Sequence, residues 1–396
     1  MNRNARSIAA RLAATLALAA AATTSLAAEP GKLLIWVNKD KCFDAWTQMA
    51  EAYTKRSGIA TKVEATMPDF FLSAASAGKG PDIVIWAHDT LGQWVADGLL
   101  RPVTPSAAVR EAIDPQGWQA FTLGRKLWGY PIGIEAIHLI YNKRLMTTPP
   151  RNFEDLASED RRLAADNRKA ILWDLSHIYY AWPLFAANGA YAYKQKESGG
   201  WNSNDIGVAN AGALKGAATL QQLVRSGVLP ATASREDAET AFLEGRVASI
   251  IDGPWLWDQL RSAGIDFGTA AVPRVAGKPG APFVGVTGAM ISRASPNFKL
   301  ASDYIERVML TPAALKTCNA DKSLGVPANT ALRTELESDP RVRGMSEAAR
   351  FGAPMPNNPE MRYFWGPMES ALESLLEARQ PAREVLEQAA RRIATH

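Results

Sequence analysis

Short apolar runs alternate with amphipathic segments along most of the chain. Residues 32–37 (KLLIWV) form a nearly continuous apolar run, which predicts a buried strand. Residues 43–53 then carry apolar side chains at helical spacing, and Gly58 predicts the end of that helix. Short apolar runs at 61–63 and 83–86 predict the next two strands. Strands that alternate with helices predict an α/β fold with parallel pairing.

The same alternation continues to the end of the chain and predicts a second α/β unit. The further predicted elements are a helix over 91–99, a strand over 170–173, helices over 178–187 and 210–226, a strand over 247–251 and a helix over 381–393. Ser234 followed by Asp237 predicts a capped helix start before Phe242, and Gly245 predicts the stop. Because no long linker separates the two units, we expect several chain crossings between them.

The N-terminal segment, residues 1–27, has the composition of a secretory signal peptide. A basic head precedes an apolar stretch over 12–22, and Ala27 ends a small-residue cleavage site. The stretch is too short for a stable membrane anchor, and no lipid-attachment cysteine follows it. An amphipathic first helix of the folded domain is the alternative, but the segment has no polar face. We therefore expect cleavage after Ala27 and a periplasmic protein.

Charge and cysteine content exclude several classes of function. The chain has 44 basic and 40 acidic residues. Cleavage of the predicted signal peptide removes Arg3, Arg6 and Arg11, which leaves 41 basic residues. A nearly neutral chain without basic runs has no electrostatic support for binding nucleic acid. Cys42 and Cys318 lack metal-site spacing, and the sequence leaves open whether they form a disulfide. The histidines are isolated, so neither a metal nor another cofactor is predicted.

Tryptophan residues stand at several predicted strand ends, beside charged or turn residues. They are Trp36, Trp86, Trp255 and Trp365. Trp46, Trp94 and Trp182 lie instead on predicted helical stripes or beside a proline, so we predict that they pack in the core. In open α/β sheets the carboxyl ends of the strands face the ligand crevice. An aromatic face there can stack on a sugar ring while charged neighbours bind its hydroxyls. Core packing is the alternative for each tryptophan alone, but the association with Asp and Lys favours a carbohydrate site.

Four charged residues directly follow strand-like runs, namely Asp40, Lys41, Asp89 and Glu135. A surface charge or a helix cap is the alternative interpretation of each. Asp89 and Glu135 also raise the hypothesis of a glycoside hydrolase with an acid/base pair. No nucleophile-elbow motif or phosphate-binding loop accompanies them in the sequence. The residues therefore favour a binding protein without catalytic residues.

Five segments, in order along the chain, have distinctive sequences: 31–38 (GKLLIWVN), 80–89 (GPDIVIWAHD), 140–143 (IYNK), 252–257 (DGPWLW) and 355–357 (MPN). Together they resemble the corresponding segments of the periplasmic maltose/maltodextrin-binding proteins of ABC importers. The resemblance implies an α/β, two-lobed periplasmic-binding-protein fold with a mixed, mainly parallel sheet in each lobe and hinge crossings between them. On this basis the N-terminal lobe comprises 28–135 and 288–335, and the C-terminal lobe comprises 136–287 and 336–396.

The same resemblance implies the ligand and the partners. The ligand is maltose, maltodextrin or a related oligosaccharide, held without catalysis by closure of the two lobes. The implied protein partners are the membrane permease subunits of an ABC importer and a chemoreceptor. The protein itself is expected to be a monomer.

Eight positions match the family's ligand-binding residues. Asp40, Lys41, Asp89 and Glu135 match its hydroxyl-binding residues, and Trp86, Tyr179, Trp255 and Trp365 match its aromatic platforms. Four cleft positions depart from the family: Thr90 replaces Arg, His177 replaces Glu, Gly366 replaces Tyr and Glu369 replaces Arg. Thr90, His177 and Glu369 remain candidate ligand-binding residues. Residues 67–71 are shorter than the family's segment and lack its Lys and paired glutamates. Because these changes alter several hydrogen bonds at once, a different disaccharide or linkage is the alternative ligand.

Overall fold

The structure, a computed structural model, describes residues 27–197, 200–378 and 380–395. Apart from Ala27, the predicted signal peptide lies outside these residues. Within the described ranges, no helix combines the length and the apolar character that crossing a membrane requires.

The strands, in chain order, are β1 (Leu33–Val37), β2 (Thr61–Ala65), β3 (Ile83–Ala87), β4 (Leu100–Arg101), β5 (Thr122–Leu123), β6 (Lys126–Leu127), β7 (Tyr130–Ala136), β8 (His138–Asn142), β9 (Lys169–Leu172), β10 (Lys194–Gln195), β11 (Trp201–Asn202), β12 (Val247–Asp252), β13 (Phe267–Ala270), β14 (Phe283–Ser292), β15 (Val326–Pro327) and β16 (Ala353–Pro354).

The α-helices are α1 (Phe43–Ser57), α2 (Pro68–Ser76), α3 (Leu91–Ala96), α4 (Ala107–Ala112), α5 (Pro115–Ala120), α6 (Leu156–Ala164), α7 (Ile178–Ala186), α8 (Ala211–Arg225), α9 (Arg235–Leu243), α10 (Trp257–Ser262), α11 (Phe298–Tyr304), α12 (Pro312–Asp321), α13 (Thr330–Leu336), α14 (Pro340–Phe351), α15 (Trp365–Leu376) and α16 (Ala382–Ala394). Short 3-10 turns span His88–Thr90, Phe153–Asp155, Pro254–Leu256 and Pro359–Tyr363, and a π-helical turn spans Ile305–Met309.

Two large sheets form the centres of two lobes. The first-lobe sheet has the order β15-β7-β14-β3-β1-β2, with β4 and β16 also paired to β14. The second-lobe sheet has the order β13-β8-β12-β9. The chain passes from the first sheet to the second between β7 and β8, and returns between β13 and β14.

The predicted mixed α/β fold is confirmed, but parallel pairing forms a smaller part of each sheet than predicted. Strands β1, β2 and β3 pair in parallel, as do β9 and β12. Strand β14, by contrast, is antiparallel to both β3 and β7. A strand that returns from the other lobe is not part of a βαβ unit, so the crossover rule does not impose a parallel direction on it.

Burial explains why the local sequence patterns predict these elements well. Every residue of β1 is buried, which accounts for its continuous apolar run. Gly58 ends α1 with a positive φ, and Ser234 forms a reciprocal capping box with Asp237, both as predicted. The three tryptophans that were predicted to pack in the core, Trp46, Trp94 and Trp182, are all buried. The strand-end residue Trp36 is buried as well. Trp36 belongs to the core because α2 covers that face of β1, where the Phe70 and Trp36 ring centroids lie 5.3 Å apart.

A disulfide joins Cys42 to Cys318 and settles the question that the sequence left open. Cys42 lies just before α1, and Cys318 lies in α12, 276 positions later in the chain. The bridge therefore ties the loop after β1, which carries Asp40 and Lys41, to a helix of the same lobe.

Candidate functional site

Charged side chains of the first lobe meet aromatic and charged side chains of the second lobe. Nζ of Lys41, in the loop after β1, lies 5.1 Å from the ring centroid of Trp255. Oδ2 of the neighbouring Asp40 lies 3.8 Å from Nη1 of Arg235 in α9. Both contacts join residues that follow β1 to residues of the other lobe. They define the cleft between the lobes as the candidate site.

A desolvated ion pair lies on the first-lobe side of this cleft. Nζ of Lys41 donates to both carboxylate oxygens of Glu135, at 2.7 and 2.5 Å. The two side chains are only 14% and 10% exposed. The hydroxyl of Thr287, on β14, also donates to Glu135 at 3.2 Å. Because water is largely excluded, each charge depends on the other for its solvation.

Asp89 lies in the turn after β3 and presents an unsatisfied acceptor. Its Oδ1 is buried and has no hydrogen-bond partner in the part of the chain that the structure describes. Burial raises the pKa of Asp89 to about 6, while nearby backbone N–H groups and the charge of Lys41 act in the opposite direction. A buried acceptor without a donor suits a ligand hydroxyl. The hydroxyl of Thr90 instead donates to the carbonyl of Ala87, at 3.2 Å, within its own turn.

Tyr179 lies where carboxylates of both lobes converge. Burial raises the pKa of its hydroxyl, and the charges of Glu135, Asp89 and Asp252 raise it further. Glu135 and Asp89 belong to the first lobe, whereas Asp252 ends β12 of the second. The hydroxyl therefore stays protonated and is available as a hydrogen-bond donor between the lobes.

The remaining predicted aromatic platforms differ in their surroundings. Trp365, at the start of α15, lies 5.7 Å from the His177 ring and 6.0 Å from the Phe283 ring, centroid to centroid. Trp86, at the end of β3, is half-buried and is opposite Gly288 in the pairing with β14. The ligand-binding role of all eight matched residues remains a prediction.

Two departures from the family contact each other. His177 caps α7, and its Nδ1 accepts the backbone N–H of Tyr179 at 3.1 Å. A neutral imidazole therefore carries its proton on Nε2, which lies 3.3 Å from Oε1 of Glu369. Beside this pair, a Cβ added to Gly366 would meet nothing within 4 Å. At the positions where the resemblance predicts Glu, Arg and Tyr, this chain therefore has a contacting His–Glu pair next to open space.

Arg235 and Asp252 are cleft residues that the sequence patterns did not identify. The Arg235 guanidinium lies 5.9 Å from the Trp255 ring centroid and 2.6 Å from Oε1 of Glu239. The guanidinium also lies 3.8 Å from Asp252. Burial raises the pKa of Asp252 to about 7, while the charge of Arg235 and the backbone N–H of Gly253 act to lower it. Arg235 occupies the first turn of a helix, where an exposed charge is common, so its sequence position carried no indication of this contact.

Two buried histidines near the chain crossings are neutral. Nδ1 of His88 accepts the backbone N–H of Val286, and its Nε2 donates to the carbonyl of Met355, both at 2.9 Å. His138 accepts from Nε1 of Trp257 at 3.1 Å. Burial lowers the pKa of both histidines to about 4. Across residues 27–197, 200–378 and 380–395, no group of three or more His, Cys, Asp or Glu side chains is placed to hold a metal ion.

We expect His138 to make the protein less stable at acidic pH. Its folded-state pKa of about 4 lies below the ordinary value of 6.5, so only the unfolded chain takes up the proton between these pH values. Stability is therefore lost as the pH falls from 6.5 towards 4, by about 2 kcal/mol at pH 4.5. Urea unfolding of His138→Gln, which keeps an acceptor for Trp257, should show a smaller loss between pH 7 and 4.5 than the wild type. Equal losses in the two proteins would contradict the assignment. The comparison cancels the opposite effect of Asp252, whose raised pKa favours the folded state as the pH falls below about 7.

Two α/β lobes that meet over a cleft of aromatic rings and desolvated charges define a two-lobed ligand-binding protein. Residues 37–314 match the family model described as bacterial extracellular solute-binding protein. The chain belongs to that family.

Three of the similar proteins are named for the oligosaccharides that they bind. The chain is 29% identical to the galactooligosaccharide-binding protein of Bacillus subtilis (strain 168), over 91% of this chain and 88% of that protein. It is 27% identical to the maltodextrin-binding protein MdxE of the same organism, over 91% and 90% of the two chains. It is 26% identical to the maltotriose-binding protein of Pyrococcus abyssi (strain GE5 / Orsay), over 87% and 78%.

Proposed function

We propose that this protein is the carbohydrate-binding component of an ABC importer and that it acts without catalysis. The main supporting observation is the convergence of Lys41, Glu135 and Asp89 of the first lobe with Tyr179 and Trp255 of the second. Charged and hydroxyl groups beside an aromatic ring suit a sugar, whose hydroxyls and C–H face need both kinds of contact. The names of the similar proteins support the same ligand class.

The ligand is an uncharged oligosaccharide, either a maltodextrin or a related sugar of another linkage. The His177–Glu369 pair and the open space at Gly366 favour a sugar other than maltose, because they replace hydrogen bonds and a ring surface in the family's pattern. Similarity to both a galactooligosaccharide-binding and a maltodextrin-binding protein supports both candidates.

Lobe closure follows from contacts that one ligand makes with both lobes. The lobes comprise 28–135 with 288–335, and 136–287 with 336–396. Packing of α14 (Pro340–Phe351) against β13 supports placing this helix in the second lobe, whereas β16 pairs with β14 of the first-lobe sheet. The protein works as a periplasmic monomer after cleavage at Ala27. It delivers its sugar to permease subunits and also presents it to a chemoreceptor.

A panel of gluco- and galacto-oligosaccharides tests this function. At least one sugar should raise the melting temperature and change the tryptophan emission, because binding stabilises the folded, closed protein. Chromatography of the same incubations should return the sugars intact. A panel without any thermal or emission response would overturn the carbohydrate assignment, and shortened sugars would establish a hydrolase.

Replacing either platform, as Trp255→Ala or Trp365→Ala, should weaken sugar affinity by about 1 kcal/mol or more, roughly fivefold or greater. The fold should remain intact because both rings are only partly buried. Calorimetric titration with the best sugar of the panel measures the change. Trp128→Ala is the matched control, since Trp128 is half-buried and donates to Leu123 outside the cleft. Wild-type affinity in both platform variants would show that these rings do not contact the sugar.

A further inference from the structure

A second cavity, of about 580 Å³, lies between the lobes and is separate from the proposed sugar cleft. Helix α5 contributes Gln116 and Gln119 to it from the first lobe. The β10–β11 hairpin contributes Gln195 and Trp201 from the second lobe. A cavity of this volume is within the range of small-molecule sites.

Strand β14 separates the two sites. Successive side chains of a strand point to opposite faces. Thr287 faces the sugar cleft, because its hydroxyl bonds to Glu135, whereas Val284 and Val286 line the second cavity. The register between β14 and β7 is regular through these residues. A molecule in one site therefore leaves the other site free.

The lining of the second cavity suits a neutral, hydroxyl-rich molecule. Gln116, Gln119 and Gln195 supply exposed amides, which both donate and accept hydrogen bonds. The charged lining residues, Lys196 and Glu360, have opposite signs, so the cavity does not select for a charged ligand.

An aromatic ring and an unsatisfied acceptor complete this lining. Trp201 is half-buried, and its Nε1 donates to Oδ1 of Asn357 at 3.1 Å, which fixes the indole at the cavity wall. Asn358, another lining residue, is only 7% exposed. Its Nδ2 donates to Glu360, but its buried Oδ1 has no partner among the described residues. A buried acceptor without a donor is costly, so this amide leaves one hydrogen bond unmade beside the cavity.

We propose that this cavity is a second binding site, for a neutral polyhydroxylated molecule of monosaccharide to disaccharide size. Trp201 supplies the ring surface for the C–H groups, and the amides bind the hydroxyls. The site does not overlap the sugar cleft, since the two lie on opposite faces of β14.

Saturation-transfer NMR with D-glucose, maltose and myo-inositol as probes tests the proposal on the full chain. The variant Trp255→Ala/Trp365→Ala removes two of the four predicted cleft platforms and so weakens cleft binding, which makes binding elsewhere easier to observe. At least one probe should bind this variant, and adding Trp201→Ala should weaken that binding about tenfold. Adding Trp201→Phe instead, which keeps a ring, should weaken it less.

The proposal is overturned if none of the three probes binds the cleft variant, or if Trp201→Ala leaves the binding unchanged. Circular dichroism checks that each variant is folded. If Trp201→Ala does not fold, Gln119→Ala/Gln195→Ala replaces it, because both side chains are exposed, and a loss of about threefold or more is then expected. Failure of the cleft function would appear separately, as equal sugar binding by the wild type and the cleft variant.

Discussion

Replacing Glu135 with glutamine should lower the free energy of unfolding by about 3 kcal/mol. The substitution leaves the ammonium of Lys41 in a largely water-free position without its counter-charge. The Trp255 ring, 5.1 Å away, and the nearby carboxylate of Asp89 offset only part of that cost. Urea unfolding at pH 7 measures the change as a lower midpoint with an unchanged slope.

Two controls distinguish the buried ion pair from a general effect of removing a charge. The exposed pair Lys143–Asp266 has a similar N–O distance of 2.8 Å, but its side chains are 47% and 62% exposed. Asp266→Asn should therefore change stability by less than about 1 kcal/mol. Lys41→Met/Glu135→Gln removes both charges and should recover much of the stability lost in Glu135→Gln. Equal losses in Glu135→Gln and Asp266→Asn would show that burial does not strengthen the first pair.

Reducing the Cys42–Cys318 disulfide should lower the free energy of unfolding by about 2–5 kcal/mol. The bridge joins positions 276 residues apart, so it removes much of the conformational freedom of the unfolded chain. Thermal unfolding with and without reductant measures the difference. Cys42→Ala/Cys318→Ala is the control, because its melting temperature should not respond to the reductant.

The same experiment has a second measurable consequence. Cys42 directly follows Lys41, so loss of the bridge frees the end of the loop that carries the first-lobe charges. Sugar affinity should therefore fall together with stability when the disulfide is reduced. Unchanged stability after complete reduction, verified by thiol titration, would contradict the expected contribution of the bridge.

Local patterns predicted most elements because each depends on nearby residues. The capping box of Ser234 and Asp237 and the positive φ of Gly58 are interactions or conformations within a few residues. The continuous apolar run of β1 likewise reports burial on both faces of a single strand. Strand direction was predicted less well, because β14 acquires its neighbours only after the chain has passed through the second lobe.

The candidate site depended more strongly on the tertiary structure. Family resemblance identified Lys41 and Glu135 separately, but their ion pair spans 94 positions of the chain. Arg235 had no distinguishing pattern, and its contacts with Asp40 and Trp255 come from different segments and lobes. His177 and Glu369 were identified as two independent departures, and only the structure shows that they contact each other.

The sequence by itself determined the α/β class, the main helix boundaries and the positions of the aromatic and charged candidates, since periodicity and capping act over short distances. Only the tertiary structure decided the mixed strand directions, the Cys42–Cys318 bridge and the ion pairs of the cleft. It also placed the second cavity on the opposite face of β14. These features depend on which distant segments are buried together. Once buried, a charged or amide group loses its water and depends on neighbouring groups for its hydrogen bonds and its counter-charge.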